Sequence, residues 1–153
     1  MSQFEILKSD NNLQEIINTA FDTDLDISGS WGYTQELSTI IHTSNAPLSQ
    51  FEHMFASMRA YVEMNMTLEK ENRYGSINLN ETAREQVSQD NLLYDKVTYT
   101  VTAMKENIYA TFINAYKEGY GKEDFDLSEH FNKRKEATLT REVIHWFEIH
   151  AVV

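Results

Sequence analysis

The final stretch of the chain, Leu139–Val153, reads LTREVIHWFEIHAVV and predicts the strand around which the fold is organised. It contains neither Gly nor Pro and is rich in β-branched and aromatic residues, a composition typical of strands. Because side chains of a strand alternate between the faces of a sheet, the stretch divides into two sets. One set is Val143, His145, Phe147, Ile149 and Ala151, and the other is Glu142, Ile144, Trp146, Glu148 and His150. We expect the first set to face the core and the second to be the best candidate for a binding surface.

A second strand is predicted at Tyr94–Ala103, YDKVTYTVTA, where apolar residues alternate with Thr98, Thr100 and Thr102. Such alternation favours an antiparallel sheet with one solvated face, since parallel strands are usually apolar throughout. A shorter strand is predicted over residues 36–42, and residues 4–7 are a candidate edge strand.

The clearest helix is predicted from Leu48 to about Thr67, with Ser49 and Glu52 forming a capping box at its start. The apolar stripe that would face the sheet consists of Leu48, Phe51, Met54, Phe55, Met58, Tyr61 and Val62. Glu52, Arg59 and Glu63 lie off this stripe, so we expect them at the helix surface.

Further helices are predicted near residues 10–21, weakly over 81–88, and between the two strands. The last of these regions holds an amphipathic helix ending near Gly119, where a left-handed residue is favoured. A short helix then begins at a capping box made by Asp126 and Glu129, with Leu127 and Phe131 facing inward.

These elements predict an α+β fold: a two-layer sandwich in which amphipathic helices pack on one face of a mostly antiparallel sheet of about four strands. A parallel α/β arrangement is the weaker alternative. With 153 residues, the chain has the usual length of a single domain spanning residues 1–153.

The protein is strongly acidic, with a formal net charge of −11 and a sequence pI near 4.8. Residues 1–68 hold nine carboxylates against only Lys8 and Arg59. A surface of this sign repels nucleic acids and anionic membranes and favours a basic partner. Since the chain has no cysteine, no apolar run long enough to cross a bilayer and no signal-peptide pattern, we expect a cytoplasmic protein.

No metal or cofactor motif is complete. The five histidines do not follow a recognised ligand spacing. Asp22, Asp24 and Asp26 resemble the start of an EF-hand loop, but Ile27 and Tyr33 occupy the positions that require glycine and a bidentate acid. We therefore expect a solvated acidic loop, and neither a metal site nor a cofactor.

Two aromatic groups remain candidates for binding. Trp31 and Tyr33 flank a glycine in a loop, where they would either anchor a partner or, as we favour, pack back onto the sheet. On the sheet, Trp146, Glu148 and His150, joined by His42, would offer an apolar platform with hydrogen-bonding groups for a ligand. A solvated sheet face without any ligand is the more common arrangement.

Two functional classes follow. The first is a non-enzymatic binding module, such as an inhibitor or an immunity or anti-defence protein, that engages a basic partner. The second is a small-molecule-binding protein or enzyme that uses the sheet face around Trp146, Glu148 and His150. No nucleophile motif supports catalysis, so the first class is preferred.

Overall fold

The computed structural model describes residues 4–10, 12–122 and 125–153. Its helices are α1 (Leu13–Phe21), α2 (Leu48–Tyr61, continued by a π-helical turn over Val62–Met66), α3 (Glu106–Gly119) and α4 (Leu127–Ala137). Its strands are β1 (Ile27–Gly29), β2 (Thr39–Ile41), β3 (Tyr74–Gln89), β4 (Leu92–Lys105) and β5 (Leu139–Glu148). Short 3-10 turns follow α2 and β5, at Lys70–Asn72 and His150–Val152.

The strands form one sheet in the order β1-β2-β5-β4-β3. Neighbours are antiparallel except β2 and β5, which run parallel. The predicted α+β class, with helices packed on a mostly antiparallel sheet, is confirmed. The sheet has five strands because a short pair, β1 and β2, extends it beyond β5.

β5 has the predicted two faces. His145 and Phe147 are fully buried under α2, and the Phe147 ring meets the edge of Phe55 at a centroid distance of 6.4 Å. Ile149, just beyond the strand, is fully buried as well. The strand ends at Glu148, however, so the prediction of a strand to the last residue is wrong for the 3-10 turn that begins at His150.

α2 begins and ends close to the predicted positions, but the side that it buries overlaps the predicted stripe only in part. Its buried residues are Phe51, Glu52, Phe55, Ala56, Arg59 and Ala60, followed by Glu63 and Met64 in the π-helical turn. Met54, Tyr61 and Met66, by contrast, are exposed. The capping box is also absent, because the helix starts after Pro47 without a side-chain cap and Glu52 points into the interior.

The weak helix predicted over residues 81–88 is instead part of the long strand β3. Asp90 and Asn91 both have positive φ, 53° and 64°, and form the two-residue turn that joins β3 to β4. This backbone conformation matches the twist of a hairpin. β3 pairs with almost the whole of β4. This pairing stabilises β3 as a strand, although its composition is too polar to predict one. Residues 4–7 are not a strand, whereas residues 27–29 of the predicted acidic loop are.

α3 and α4 form a helical hairpin inserted between β4 and β5, at the end of the sheet. The Asp126 cap is confirmed, since its carboxylate accepts a hydrogen bond from the Glu129 amide at 3.0 Å. Leu127 and Phe131 do not face inward as predicted: they are 45% and 48% exposed, and His130 is the buried residue of α4. The left-handed glycine is Gly121 rather than Gly119.

Candidate functional site

The open face of the sheet carries Glu142, Ile144 and Trp146 of β5, as predicted. Thr98 and Thr100 of β4 lie opposite Ile144 and Glu142 of β5. Trp146 is half-buried there, since its ring meets the edge of Tyr94 at 6.4 Å and Lys96 places its ammonium 5.4 Å from the ring centroid. Tyr94 and Lys96 therefore already cover part of the Trp146 ring, which was the predicted apolar platform for a ligand.

A cavity of about 570 Å³ opens beside this face, between the N-terminal segment, the loop before β2 and the ends of β4 and β5. We call it the acidic cleft. It is lined by Ile6, Leu7, Lys8, Ser9, Asp10, Gly29, Ser30, Gln35, Glu36, Leu37, Ser38, Ile40, Tyr94 and Glu148. Three carboxylates, Asp10, Glu36 and Glu148, thus meet apolar side chains from three separate parts of the chain.

The two candidate histidines lie elsewhere. His150 is exposed in the terminal 3-10 turn, so it does not share a strand face with Glu148. His42 is exposed at the end of β2, with its Nε2 atom 2.7 Å from the Ser28 hydroxyl. Of the three residues predicted to form a binding face on β5, only Glu148 lines the acidic cleft.

Trp31 and Tyr33 pack back onto the sheet, which was the favoured alternative. Trp31 is 1% exposed and its ring lies 5.9 Å from that of Phe55, so it is not an exposed anchor for a partner. Tyr33 donates a hydrogen bond to Glu63, and the Arg59 guanidinium lies over its ring at 4.0 Å. Burial and the adjacent Glu63 carboxylate raise the pKa of the Tyr33 hydroxyl.

Beneath α2 lies a group of buried charges that the sequence did not indicate, which we call the Arg59 cluster (Tyr33, Arg59, Glu63 and Arg141). Glu63 pairs with Arg59 at 3.4 Å and with Arg141 at 3.3 Å. Arg59 also donates to the Ile144 carbonyl at 3.0 Å. These bonds tie α2 to β5 and to the loop that precedes β2.

A second charged group, the Glu52 cluster (Glu52, Glu81, Arg84 and Asp95), joins α2 to β3 and β4; Glu52 and Asp95 are buried, and Glu81 and Arg84 are exposed. Arg84 contacts Glu52 at 2.7 Å, Glu81 at 2.7 Å and Asp95 at 3.1 Å. Burial, followed by the hydrogen bond with Asp95, raises the pKa of the Glu52 carboxyl to about 8, although Arg84 acts in the opposite direction. One guanidinium cannot neutralise all of these carboxylates at once, so we assign a proton to Glu52, whose pKa is raised.

Both clusters connect α2 to the sheet, the Arg59 cluster through Arg141 of β5 and the Glu52 cluster through Arg84 of β3. The fully buried His145 belongs to the same interior. Its Nε2 atom lies 2.8 Å from the Thr39 hydroxyl, and burial holds its pKa well below the ordinary value, with Arg59 adding to the effect. His145 is therefore a neutral core residue.

The three aspartates of the acidic loop are all exposed. Asp22 takes a left-handed conformation at the end of α1, with φ of 51°, Asp24 accepts a hydrogen bond from Gln14, and Asp26 accepts one from Thr43. They do not converge on one point. Among the described residues, no group of three His, Asp or Glu side chains is arranged to hold a metal ion.

No family model matches the chain, and no curated protein or solved structure is significantly similar to it. Within residues 4–10, 12–122 and 125–153, no helix is both long enough and apolar enough to span a membrane.

Proposed function

We propose that this protein is a small, non-enzymatic binding module that engages a basic protein through an acidic surface near its N-terminus. The supporting observation is the charge distribution of residues 4–47. This segment carries seven carboxylates and a single cation, Lys8. The seven, which we call the acidic surface, are Glu5, Asp10, Glu15, Asp22, Asp24, Asp26 and Glu36, and all are exposed.

The acidic surface differs from the rest of the molecule. Among the described residues, none of its seven carboxylates forms an ion pair. The acids of α2, in contrast, are buried and paired with arginines. Unpaired exposed charges of one sign raise the rate at which an oppositely charged partner associates, which is the property that an inhibitor of the immunity or anti-defence type needs.

A pull-down from the native host tests this proposal. We expect the protein to retain a basic protein at low salt and to lose it as the ionic strength rises, because salt screens exposed charges over about 10 Å at 0.1 M. The variant D22N/D24N/D26N should retain markedly less of that protein. Asn tolerates the left-handed position of residue 22, so the fold should be preserved.

The matched control is E118Q/E129Q/E136Q, which removes three exposed carboxylates from the α3–α4 hairpin instead. It should bind as the parent does. Equal loss from both triple variants would mean that only net charge matters, and retention of no basic protein at low salt would contradict the proposal.

The small-molecule alternative has one supporting feature, the acidic cleft beside Glu148. It lacks the histidine that acid–base chemistry on this face would have used, since His150 lies outside the strand. We therefore assign the acidic cleft to the proposed binding surface.

A further inference from the structure

A cavity of about 180 Å³ lies at the other end of β4 from the acidic cleft, where the start of β3 and the α3–α4 hairpin meet the sheet. We call it the basic cavity. Its polar and charged lining residues are Ser76, Asn78, Thr102, Arg134, Lys135 and Thr138. Although the chain carries a formal net charge of −11, no carboxylate among the described residues lines this cavity. The larger cavities beside α1 and beside the start of α4, by contrast, are lined by carboxylates.

Arg134 is positioned at the basic cavity without using its hydrogen-bond donors. Its guanidinium lies 5.6 Å from the centroid of the Tyr109 ring and 5.7 Å from that of the Phe131 ring, within the range of a cation–π contact. Neither Arg134 nor Lys135 forms an ion pair with any described residue, whereas the neighbouring Lys133 pairs with Glu129. The donors of both cations are therefore available to a ligand.

The backbone of β3 supplies an independent observation at the same place. The register between β3 and β4 shifts between Gly75 and Asn78, and Ser76 within this bulge has a left-handed φ of 51°. This conformation is unfavourable for a residue that has a Cβ atom, and bulges often redirect a side chain next to a functional site. The Asn78 amide donates to the Ser76 carbonyl at 3.2 Å and so stabilises the bulge, which places Ser76 at the cavity.

We propose that the basic cavity binds a single phosphoryl group, either as free inorganic phosphate or as part of a small phosphomonoester. The planar guanidinium of Arg134 can donate to two phosphate oxygens at once, and Lys135 adds a compact charge. The hydroxyls of Ser76 and Thr102 supply two neutral donors. The Thr138 hydroxyl is already used, since it donates to the Arg134 carbonyl at 2.8 Å.

The size of the cavity and the charge of the protein restrict the ligand to one such group. An extended polyanion such as nucleic acid would be repelled by the rest of the acidic molecule. The basic cavity is separate from the acidic surface, so this inference does not rest on the proposed function. Cations in the last turn of α4 also stabilise the negative end of the helix dipole, and the experiment has to separate this structural role from ligand binding.

The experiment is an NMR titration of the isotope-labelled protein with inorganic phosphate, compared with sodium chloride at the same ionic strength. We expect phosphate to shift the amide signals of Ser76, Asn78, Thr102 and Lys135 to saturation, and chloride to leave them in place. Equal shifts with both salts would overturn the proposal. O-phosphoserine serves as the phosphomonoester probe: a lower Kd for O-phosphoserine than for phosphate identifies an ester as the ligand, and a lower Kd for phosphate identifies the free ion.

Two double variants of the hairpin locate the site. R134Q/K135Q removes both cations of the cavity, and K117Q/K122Q removes two exposed cations outside it. The first should raise the Kd for phosphate by about ten-fold or more, because charged hydrogen bonds are lost, and the second should leave it unchanged. Unperturbed amide signals of β4 would verify that both variants fold. If R134Q/K135Q lowers the melting temperature but binds phosphate as the parent does, the two cations serve only the helix and the proposal is overturned.

Ser76→Gly tests the bulge without endangering the fold. Glycine adopts a positive φ readily, so this variant should be at least as stable as the parent. Because it lacks the hydroxyl, its Kd for phosphate should rise by about three-fold, the effect of losing one neutral hydrogen bond. An unchanged Kd would show that the bulge is not part of a phosphate site and would overturn the assignment of this cavity.

Discussion

α2 buries charged side chains, whereas the α3–α4 hairpin exposes aromatic ones. α2 and its π-helical turn bury Glu52, Arg59 and Glu63 against the sheet. The hairpin leaves Tyr120 71% exposed and Phe131 48% exposed. The predicted apolar stripe of α2 therefore identified only part of the side that packs, since Phe51 and Phe55 are buried whereas Met54 and Tyr61 are exposed. What decides the orientation of α2 is the face of the sheet that it covers.

That face is itself partly charged. β3 and β5 direct Arg84 and Arg141 towards α2, where they pair with Glu52 and Glu63, and Asp95 of β4 pairs with Arg84. A buried charge is tolerated only when it is paired and hydrogen-bonded. Rotating α2 would separate Glu52 from Arg84 and Glu63 from Arg141, which would cost more than exposing Met54 and Tyr61.

The largest expected difference between the two regions is in packing. Phe55→Ala in α2 should lower the free energy of unfolding by about 4 kcal/mol, because Phe55 is fully buried between Trp31 and Phe147. Phe131→Ala in α4 should lower it by only about 0.5 kcal/mol. Urea denaturation of both variants measures this difference. Similar losses would mean that the hairpin is as much a part of the core as α2.

A somewhat smaller effect should come from the charges, and two i,i+4 ion pairs provide the comparison. Arg59→Met removes a partner of the buried Glu63, which should cost about 3 kcal/mol, with Arg141 preventing a greater loss. Lys133→Met removes the exposed partner of Glu129 in α4. It should leave the melting temperature unchanged, since exposed pairs contribute little. A large decrease in the melting temperature of both variants would contradict the assignment of the Arg59 cluster as a structural connection between α2 and the sheet.

The most specific effect concerns the Glu52 cluster and is measured as a change of stability with pH. The folded protein holds a proton on Glu52 up to a pKa of about 8, whereas the unfolded chain loses it near 4.5. Between these values the folded state binds more protons, so stability should fall as pH rises, by up to about 1.4 kcal/mol per pH unit. Glu52→Gln, a permanently neutral analogue, should reduce this slope.

Urea midpoints between pH 5 and 9 measure the slope. Glu81→Gln is the matched control, because it removes another carboxylate bound to Arg84 whose pKa is lowered rather than raised. It should leave the decline above pH 5 in place. An unchanged slope in Glu52→Gln would show that Glu52 does not retain a proton in the folded protein.

Much of the fold was predictable from local pattern. The alternation in β4 and β5 and the apolar periodicity of α1 and α2 indicated the class of the fold and the burial of Phe147. β3 was not predicted as a strand because its charged side chains interrupt the alternation of polar and apolar residues. The turn residues Asp90 and Asn91 were the available signal for a hairpin, since Asp and Asn tolerate positive φ.

Only the components of the candidate site were predictable from the sequence. Composition and charge distribution identified the acidic residues near the N-terminus, and alternation placed Glu148 on the open face of the sheet. No pattern within one segment could predict that Glu148 lies in the same cleft as Asp10 and Glu36, because Glu148 is more than one hundred positions from each of them in the chain.

The sequence by itself determined the periodicity of the main strands and helices, the capped start of α4 and the excess of negative charge. Tertiary structure alone decided which side of α2 is buried, where β5 ends and which carboxylates share a cleft. The physical reason is that local pattern depends on the alternation of side chains along one element. The burial of Glu52, Arg59 and Glu63, in contrast, depends on oppositely charged partners supplied by distant strands.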